Sequence, residues 1–178
     1  MSDWKVLKSK KVHKNNWYNV IQDEVEIKEG KKIFYHYIDK PPGVAVVPVD
    51  DDGNIFFVKQ YRHPIKIDAI EFVLGTMEKF DVDVLEVAKR ELKEETGIES
   101  LDCKEIGKFF WMDGLSNQVG HIFLAKKLTI GESHPEETED ITVVKYSLEE
   151  VKQMIKDEEI KDAATIAVFY RYLQYLET

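Results

Sequence analysis

The chain has 178 residues, of which 43% are hydrophobic and 33% charged, with a formal net charge of −9 and a single cysteine, Cys103. This balance is typical of a soluble globular protein, and one cysteine excludes an internal disulfide and a cysteine-based zinc site. The negative charge argues against a nucleic-acid partner, and no apolar run approaches the ~18 residues of a membrane span. We therefore expect a cytoplasmic protein, without a signal peptide, that binds neither nucleic acid nor membrane.

The first forty residues predict a small antiparallel sheet, because short alternating segments are separated by turn residues. The sequence Pro41-Pro42-Gly43 that follows is the clearest boundary in the chain. We predict an N-terminal β module over residues 1–41 and a larger domain over residues 42–178. The predicted strands of the module are Trp17–Ile21, Glu24–Ile27 and Lys32–Ile38.

Two apolar segments after the boundary predict a β-hairpin. Val44–Val49 and Ile55–Tyr61 flank Asp50–Asn54, a segment rich in residues that favour turns. The aspartates of this turn are too few and too closely spaced for a calcium-binding EF-hand loop. We interpret the segment as a turn.

An amphipathic helix is predicted next. Asp83 and Glu86 have the spacing of a capping box, and Gly97 suits a left-handed cap at the other end. At ~100° per residue, apolar residues form one stripe and lysines occupy the solvent side. Three carboxylates fall inside the apolar stripe and are therefore predicted to point inward. The three carboxylates are Glu91, Glu94 and Glu95. The apolar stripe consists of Val84, Val87, Ala88 and Leu92.

Inward carboxylates at this end of a helix are unfavourable unless a cation accompanies them. The C-terminal end of a helix disfavours each anion by roughly 0.3–1 kcal/mol, and neighbouring carboxylates repel one another and resist desolvation. Oxygen ligands of this kind suit Mg²⁺ or Mn²⁺. The alternative is an acidic surface patch, which is the usual fate of a Glu-rich helix end, although here lysines already occupy the solvent side.

The rest of the chain mixes strands with helices. Ser147 and Glu150 form a capping box at the start of one helix, and Asp162 is placed to cap the last helix. Strands and helices in this arrangement predict an α/β sandwich. The strands predicted after the acidic helix lie at Lys104–Phe110, His121–Ala125 and Thr142–Tyr146.

The segment Arg90–Ile98 resembles the second half of the Nudix box, Gly-x5-Glu-x7-Arg-Glu-U-x-Glu-Glu-x-Gly-U with U aliphatic, and it matches at every fixed position. The first half departs from the motif, because Gly75 lies one residue too far upstream and Val82 occupies the place of the first Glu. The resemblance implies a Nudix-type α/β/α sandwich with a mixed sheet, preceded by the N-terminal antiparallel β module.

The resemblance also implies how the acidic helix works. Glu91 and Glu95 would be the principal metal ligands and Glu94 a further ligand. The backbone carbonyl of Leu74 would add another oxygen. Arg90 would act in catalysis by steering and neutralising these carboxylates rather than by contacting substrate.

Other segments resemble the ADP-ribose pyrophosphatase branch and its nucleotide-sugar relatives. They are Gln60-Tyr61-Arg62, Glu71 four residues before Gly75, and the acidic run Glu136–Ile141. The resemblance implies hydrolysis of the pyrophosphate bond of a nucleoside diphosphate sugar, with ADP-ribose giving AMP and ribose 5-phosphate. It also implies a homodimer.

Within that reaction, the resemblance places the general base in the acidic run, at Glu137 or Glu139. Each assignment has a structural alternative. The acidic run would be a solvated loop, Arg62 a surface cation, Glu71 an exposed strand residue and Trp17 a core residue. The residues implied to bind substrate are Arg62 on a phosphate, Glu71 on hydroxyl groups or else in support of the metal site, Trp17 on the base, and Gln118 in a loop that often carries an acid.

Three other functions remain open at this point. One is hydrolysis of GDP-mannose or another nucleotide sugar. A second is hydrolysis of nucleoside triphosphates, which the N-terminal strands and Gln60-Tyr61-Arg62 disfavour. A third is a nucleotide-sensing module without turnover, which we would expect to have lost one of the three helix acids.

Overall fold

The structure is a computed structural model that describes residues 4–133 and 140–178. By internal contacts it divides into two compact units. The described part of Met1–Pro42 forms the first unit together with Phe110–Val119, and Gly43–Phe109 forms the second together with the described part of Gly120–Thr178. The domain boundary after residue 41 stays a prediction.

The first unit contains a three-stranded antiparallel sheet in the order β1-β2-β3. The strands are β1 (Lys5–Lys14), β2 (Asn19–Glu26) and β3 (Lys32–Asp39), and a 3-10 turn at Lys28–Gly30 joins the last two. The register pairs Lys5 of β1 with Glu26 and pairs Asn19 with Asp39 of β3. The predicted antiparallel N-terminal sheet is confirmed.

Two details of this sheet were predicted wrongly. The two predicted segments Trp17–Ile21 and Glu24–Ile27 both overlap the single strand β2, and β1 was not predicted at all. All ten residues of β1 are exposed, and five of them are lysines. A strand with water around every side chain has no buried face, so it lacks the alternation that identifies a strand in a sequence.

The second unit contains two sheets, in the orders β7-β4-β9-β8 and β10-β5-β6. In the four-stranded sheet, β4 runs parallel to β9 and antiparallel to β7, so the sheet is mixed. The strands are β4 (Gly43–Pro48), β5 (Ile55–Arg62), β6 (Ile67–Glu71), β7 (Val73–Thr76), β8 (Ile98–Phe110), β9 (Val119–Ile130) and β10 (Ile141–Tyr146).

The hairpin predicted between β4 and β5 is wrong. The turn is present, with the Asp50 carboxylate accepting from the backbone N–H of Asn54 at 2.8 Å, but β4 and β5 enter different sheets and are joined only by an isolated bridge between Val49 and Ile55. Every residue of β4 is buried. Such a strand has no solvent face and pairs with whichever strands allow both of its faces to be covered.

Helices cover both faces of β4. The helices of this unit are α1 (Val84–Thr96), α2 (Leu148–Lys156) and α3 (Ala163–Leu176). Val44 and Val46 belong to the hydrophobic cluster that contains Leu92 of α1, whereas Ala45 and Val47 belong to the cluster that contains Phe169 of α3 and Val151 of α2. Successive side chains of a strand point to opposite faces, and the predicted α/β/α sandwich is confirmed.

The ends of the helices lie where the local signals predict, although Asp83 caps α1 without the capping box predicted with Glu86, whose carboxylate accepts from Lys89 instead. The Asp83 carboxylate accepts from Leu85 N at 3.0 Å, and Gly97, with φ of 70°, donates its N–H to Lys93 O at 2.8 Å. Ser147 forms the predicted capping box, and Asp162 caps α3. None of the helices among the described residues has the length and apolar character that a membrane span requires.

Candidate active site

The C-terminal half of α1 turns two carboxylates toward the protein interior. Glu95 is 4% exposed, and the Glu91 side chain is 16% exposed. The Glu94 side chain differs, since it is 46% exposed. Ionised carboxylates resist such burial unless they are paired or bind a cation. Glu91 and Glu95 therefore point inward, whereas Glu94 lies at the rim of the buried region.

The backbone of β7 lies directly against Glu91. A Cβ atom built on Gly75 would lie 2.2 Å from Cγ of Glu91 and 2.6 Å from its Oε1, which is far inside van der Waals contact. Any larger residue at this position would have to displace the Glu91 side chain. Gly75 thus lies against the acidic helix even though it is displaced by one residue relative to the Nudix box, and the extra residue is accommodated in the loop before α1.

A cluster of acids surrounds the Arg90 guanidinium. Its Nη1 lies 3.1 Å from Glu94 Oε2, and its Nη2 lies 3.2 Å from both Glu91 Oε1 and Asp81 Oδ2. Glu78 Oε1 is 3.7 Å from Nη1. Partial burial acts to lower the pKa of Arg90, but the charges of Glu91, Glu94 and Asp81 outweigh it, so that the pKa is raised. Arg90 is positioned to neutralise these carboxylates.

A second charged pair joins the ends of β5 and β6. Arg62 Nε donates to Glu71 Oε2 at 2.9 Å, and Arg62 Nη2 contacts the same carboxylate, in a two-pronged arrangement. Burial acts to lower the pKa of Arg62, whereas the bond and charge of Glu71, and then the charge of Glu95, raise it above its ordinary value. The pair therefore lies within electrostatic reach of the acidic helix.

The structure places the other predicted site residues as follows. Trp17 and Gln118 belong to the first unit, where Trp17 is exposed after β1 and Gln118 is buried. Leu74 lies on β7, paired with Ala45 of β4. Glu137 and Glu139 lie outside the described residues.

A divalent cation fits the chemistry of the site beside Gly75. Its donors are carboxylate oxygens, which hard cations prefer, and the missing Cβ of Gly75 lets the Glu91 carboxylate lie directly against the β7 backbone. Among residues 4–133 and 140–178, no three acidic, histidine or cysteine side chains are already grouped as a ligand set. A small cation such as Mg²⁺ does not need one, because it commonly takes one or two carboxylates together with water and phosphate oxygens.

The sequence analysis missed the acids that contact Arg90 from the loop before α1. Asp81 and Glu78 were not assigned a role, although Asp81 adjoins Val82, where the Nudix box has its first Glu. The available signal was the presence of acids on both sides of Val82. Loop conformations have no periodicity from which a contact can be predicted.

Comparison with known proteins agrees with this geometry. Residues 39–169 match the NUDIX domain family, and residues 4–38 match the nucleoside diphosphate sugar hydrolase N-terminal domain. The ADP-ribose pyrophosphatase of Bacillus subtilis (strain 168) is 34% identical over 157 residues, covering 87% of this chain and 84% of the relative. The methanol dehydrogenase activator of Bacillus methanolicus is 31% identical over 173 residues, covering 96% and 93%.

A solved structure shares the fold over nearly the full length. The crystal structure of an ADP compounds hydrolase superposes with a TM-score of 0.85 at 21% identity, covering 98% of this chain and 94% of the other. The family match covers well over half of the chain. The chain therefore belongs to the Nudix family and is a Nudix hydrolase similar to ADP-ribose pyrophosphatases, in a family whose members generally use divalent metal ions.

Proposed function

We propose that this Nudix hydrolase cleaves the pyrophosphate bond of a nucleoside diphosphate sugar, with ADP-ribose as the substrate, to give AMP and ribose 5-phosphate. Two of the relatives, from Bacillus subtilis (strain 168) and Mycobacterium tuberculosis (strain ATCC 25618 / H37Rv), are ADP-ribose pyrophosphatases. The match of residues 4–38 to a nucleoside diphosphate sugar hydrolase domain supports the same substrate class.

The observation that carries the proposal is the burial of Glu95 and Glu91 on α1, with Glu91 lying against the glycine backbone of β7. Glu91 and Glu95, with Glu94 at the rim and the Leu74 carbonyl, would hold Mg²⁺, or Mn²⁺ as the alternative. When bound, the cation would supply positive charge at the phosphates and make water a better nucleophile. It would also reconcile an anionic substrate with a net charge of −9.

The chain's own side chains would then position the substrate. Arg62 would engage a phosphate through its guanidinium, and Glu71, which is almost fully buried beside it, would fix that guanidinium and accept from a sugar hydroxyl. Arg90 would balance the charge of the helix carboxylates. These roles use groups that are already oriented by ion pairs, which reduces the ordering required on binding.

The remaining assignments rest on the family resemblance. Glu137, with Glu139 as the alternative, would accept the proton of the attacking water. Trp17 would stack on the base, for which its exposed ring is suited, and Gln118 would contact the substrate. We also propose a cytoplasmic homodimer, in which the exposed edge strand β1 would be a candidate contact surface.

A hydrolysis screen tests this proposal. The chain would be incubated with ADP-ribose, GDP-mannose, dinucleotides and ATP, with and without Mg²⁺, and the products would be identified by mass spectrometry. We expect AMP and ribose 5-phosphate from ADP-ribose in the presence of Mg²⁺ and a much slower reaction in its absence. Preferential turnover of ATP or GDP-mannose would overturn the choice of substrate. The absence of any turnover would support a nucleotide-sensing module instead.

A further inference from the structure

The Arg90 guanidinium contacts the same carboxylates that are proposed to bind the cation. It lies 3.2 Å from Glu91 Oε1 and 3.1 Å from Glu94 Oε2. Arginine stays protonated at any pH at which a protein functions, so it cannot yield to a metal ion by losing its own charge. A divalent cation that takes these oxygens must therefore compete with the guanidinium, which has to be held elsewhere.

Asp81 offers the place where the guanidinium can be held. Its Oδ2 lies 3.2 Å from Arg90 Nη2 and also accepts from the backbone N–H of Glu78 at 2.7 Å. The Asp81 side chain is 24% exposed. Glu78 itself is 3.7 Å from Arg90, and its side chain is 69% exposed. Of the two loop acids, Asp81 is closer to Arg90, less exposed and fixed by a backbone hydrogen bond.

The residue at the corresponding motif position cannot serve this purpose. Val82 stands where the Nudix box has a Glu, and it is 95% exposed and apolar. Asp83, on its other side, is engaged in capping α1 through Leu85 N. Asp81 is therefore the residue of this segment with both the charge and the contact that Arg90 requires.

We propose that Asp81 is a positioning residue that retains the Arg90 guanidinium while Glu91 and Glu94 bind the divalent cation. This inference rests on the proposed metal-dependent hydrolysis and adds to it a residue outside the motif. Without Asp81, the charge of Arg90 would be balanced mainly by Glu91 and Glu94, and the cation would have to displace it from both. Asp81 would thus raise the affinity for the metal although it need not contact the metal itself.

The test is a Mn²⁺ titration of the full chain, followed by electron paramagnetic resonance of the free ion. Asp81→Asn should weaken Mn²⁺ binding about 10-fold, the size of effect seen when groups that orient ligands are removed. Asp83→Asn is the matched control, because it removes the same charge two residues away while Asn still caps the helix. The control should bind within about 2-fold of the wild type, and Asp81→Glu should recover most of the affinity.

A double-mutant cycle separates this role from a general effect of charge. If Asp81 acts through Arg90, Asp81→Asn should cause little further loss of affinity in an Arg90→Gln background. Equal losses in both backgrounds, or unchanged binding by Asp81→Asn alone, would overturn the inference and leave the proposed function intact. If the wild type binds no Mn²⁺, the proposed function falls as well. A thermal melt of each variant checks that a weakened site is not an unfolded one.

Discussion

The two units differ in how their side chains are held. Among the described residues of the first unit, the buried hydrophobic side chains are Ile21 and Val25, and β1 is exposed along its whole length. In the second unit, clusters of buried side chains fill both faces of β4. The carboxylates of α1 are thus anchored to a packed core, whereas the three-stranded sheet depends on backbone pairing with little burial. The proposed metal site, which needs fixed ligands, would therefore lie where the packing is dense.

The largest expected effect on stability tests this comparison through a Leu→Ala substitution in each unit. Leu92 of α1 is fully buried, whereas Leu7 of β1 is 37% exposed. Leu92→Ala should lower the free energy of unfolding by about 2–5 kcal/mol, because it leaves a cavity in the core. Leu7→Ala should change it by less than about 1 kcal/mol. Urea unfolding of both variants gives the two values. A loss for Leu7→Ala as large as that for Leu92→Ala would contradict the comparison.

Substitution of Gly75 by Ala should reduce stability less, but it should change the proposed site directly. Ala at this position would place a Cβ 2.2 Å from Glu91 Cγ, whereas a Cβ on Gly114, in the first unit, would meet nothing within 4 Å. Gly75→Ala should cost about 1–3 kcal/mol through overpacking and should displace the Glu91 carboxylate. Hydrolysis rates and urea unfolding would be measured for both variants. Wild-type activity in Gly75→Ala would show that Glu91 does not need its present position, and Gly114→Ala should behave like the wild type.

Features that depend on neighbouring residues were predicted from the sequence. The caps of α1 at Asp83 and Gly97, and the cap at Ser147, are hydrogen bonds between residues at most four positions apart. The inward orientation of Glu91 and Glu95 also follows from the helical period alone. These predictions needed no knowledge of the strands against which the helices pack.

Features that depend on distant partners were not predicted. The pairing of β4 with β9 instead of β5 joins residues more than 70 positions apart, and a fully apolar strand gives no indication of which partner it will take. The contact between Asp81 and Arg90 is closer in sequence, but it depends on the conformation of an irregular loop. Glu94, which was predicted to point inward, has a half-exposed side chain that forms an ion pair with Arg90.

The most direct test of the account is whether the buried end of α1 binds a divalent cation. Mn²⁺ affinity would be measured for the wild type, for Glu95→Gln, and for Glu86→Gln, an exposed acid of the same helix that is paired with Lys89. We expect Glu95→Gln to bind at least about 10-fold more weakly and Glu86→Gln to match the wild type. Equal affinity in Glu95→Gln and the wild type would contradict the assignment of this helix as the metal site.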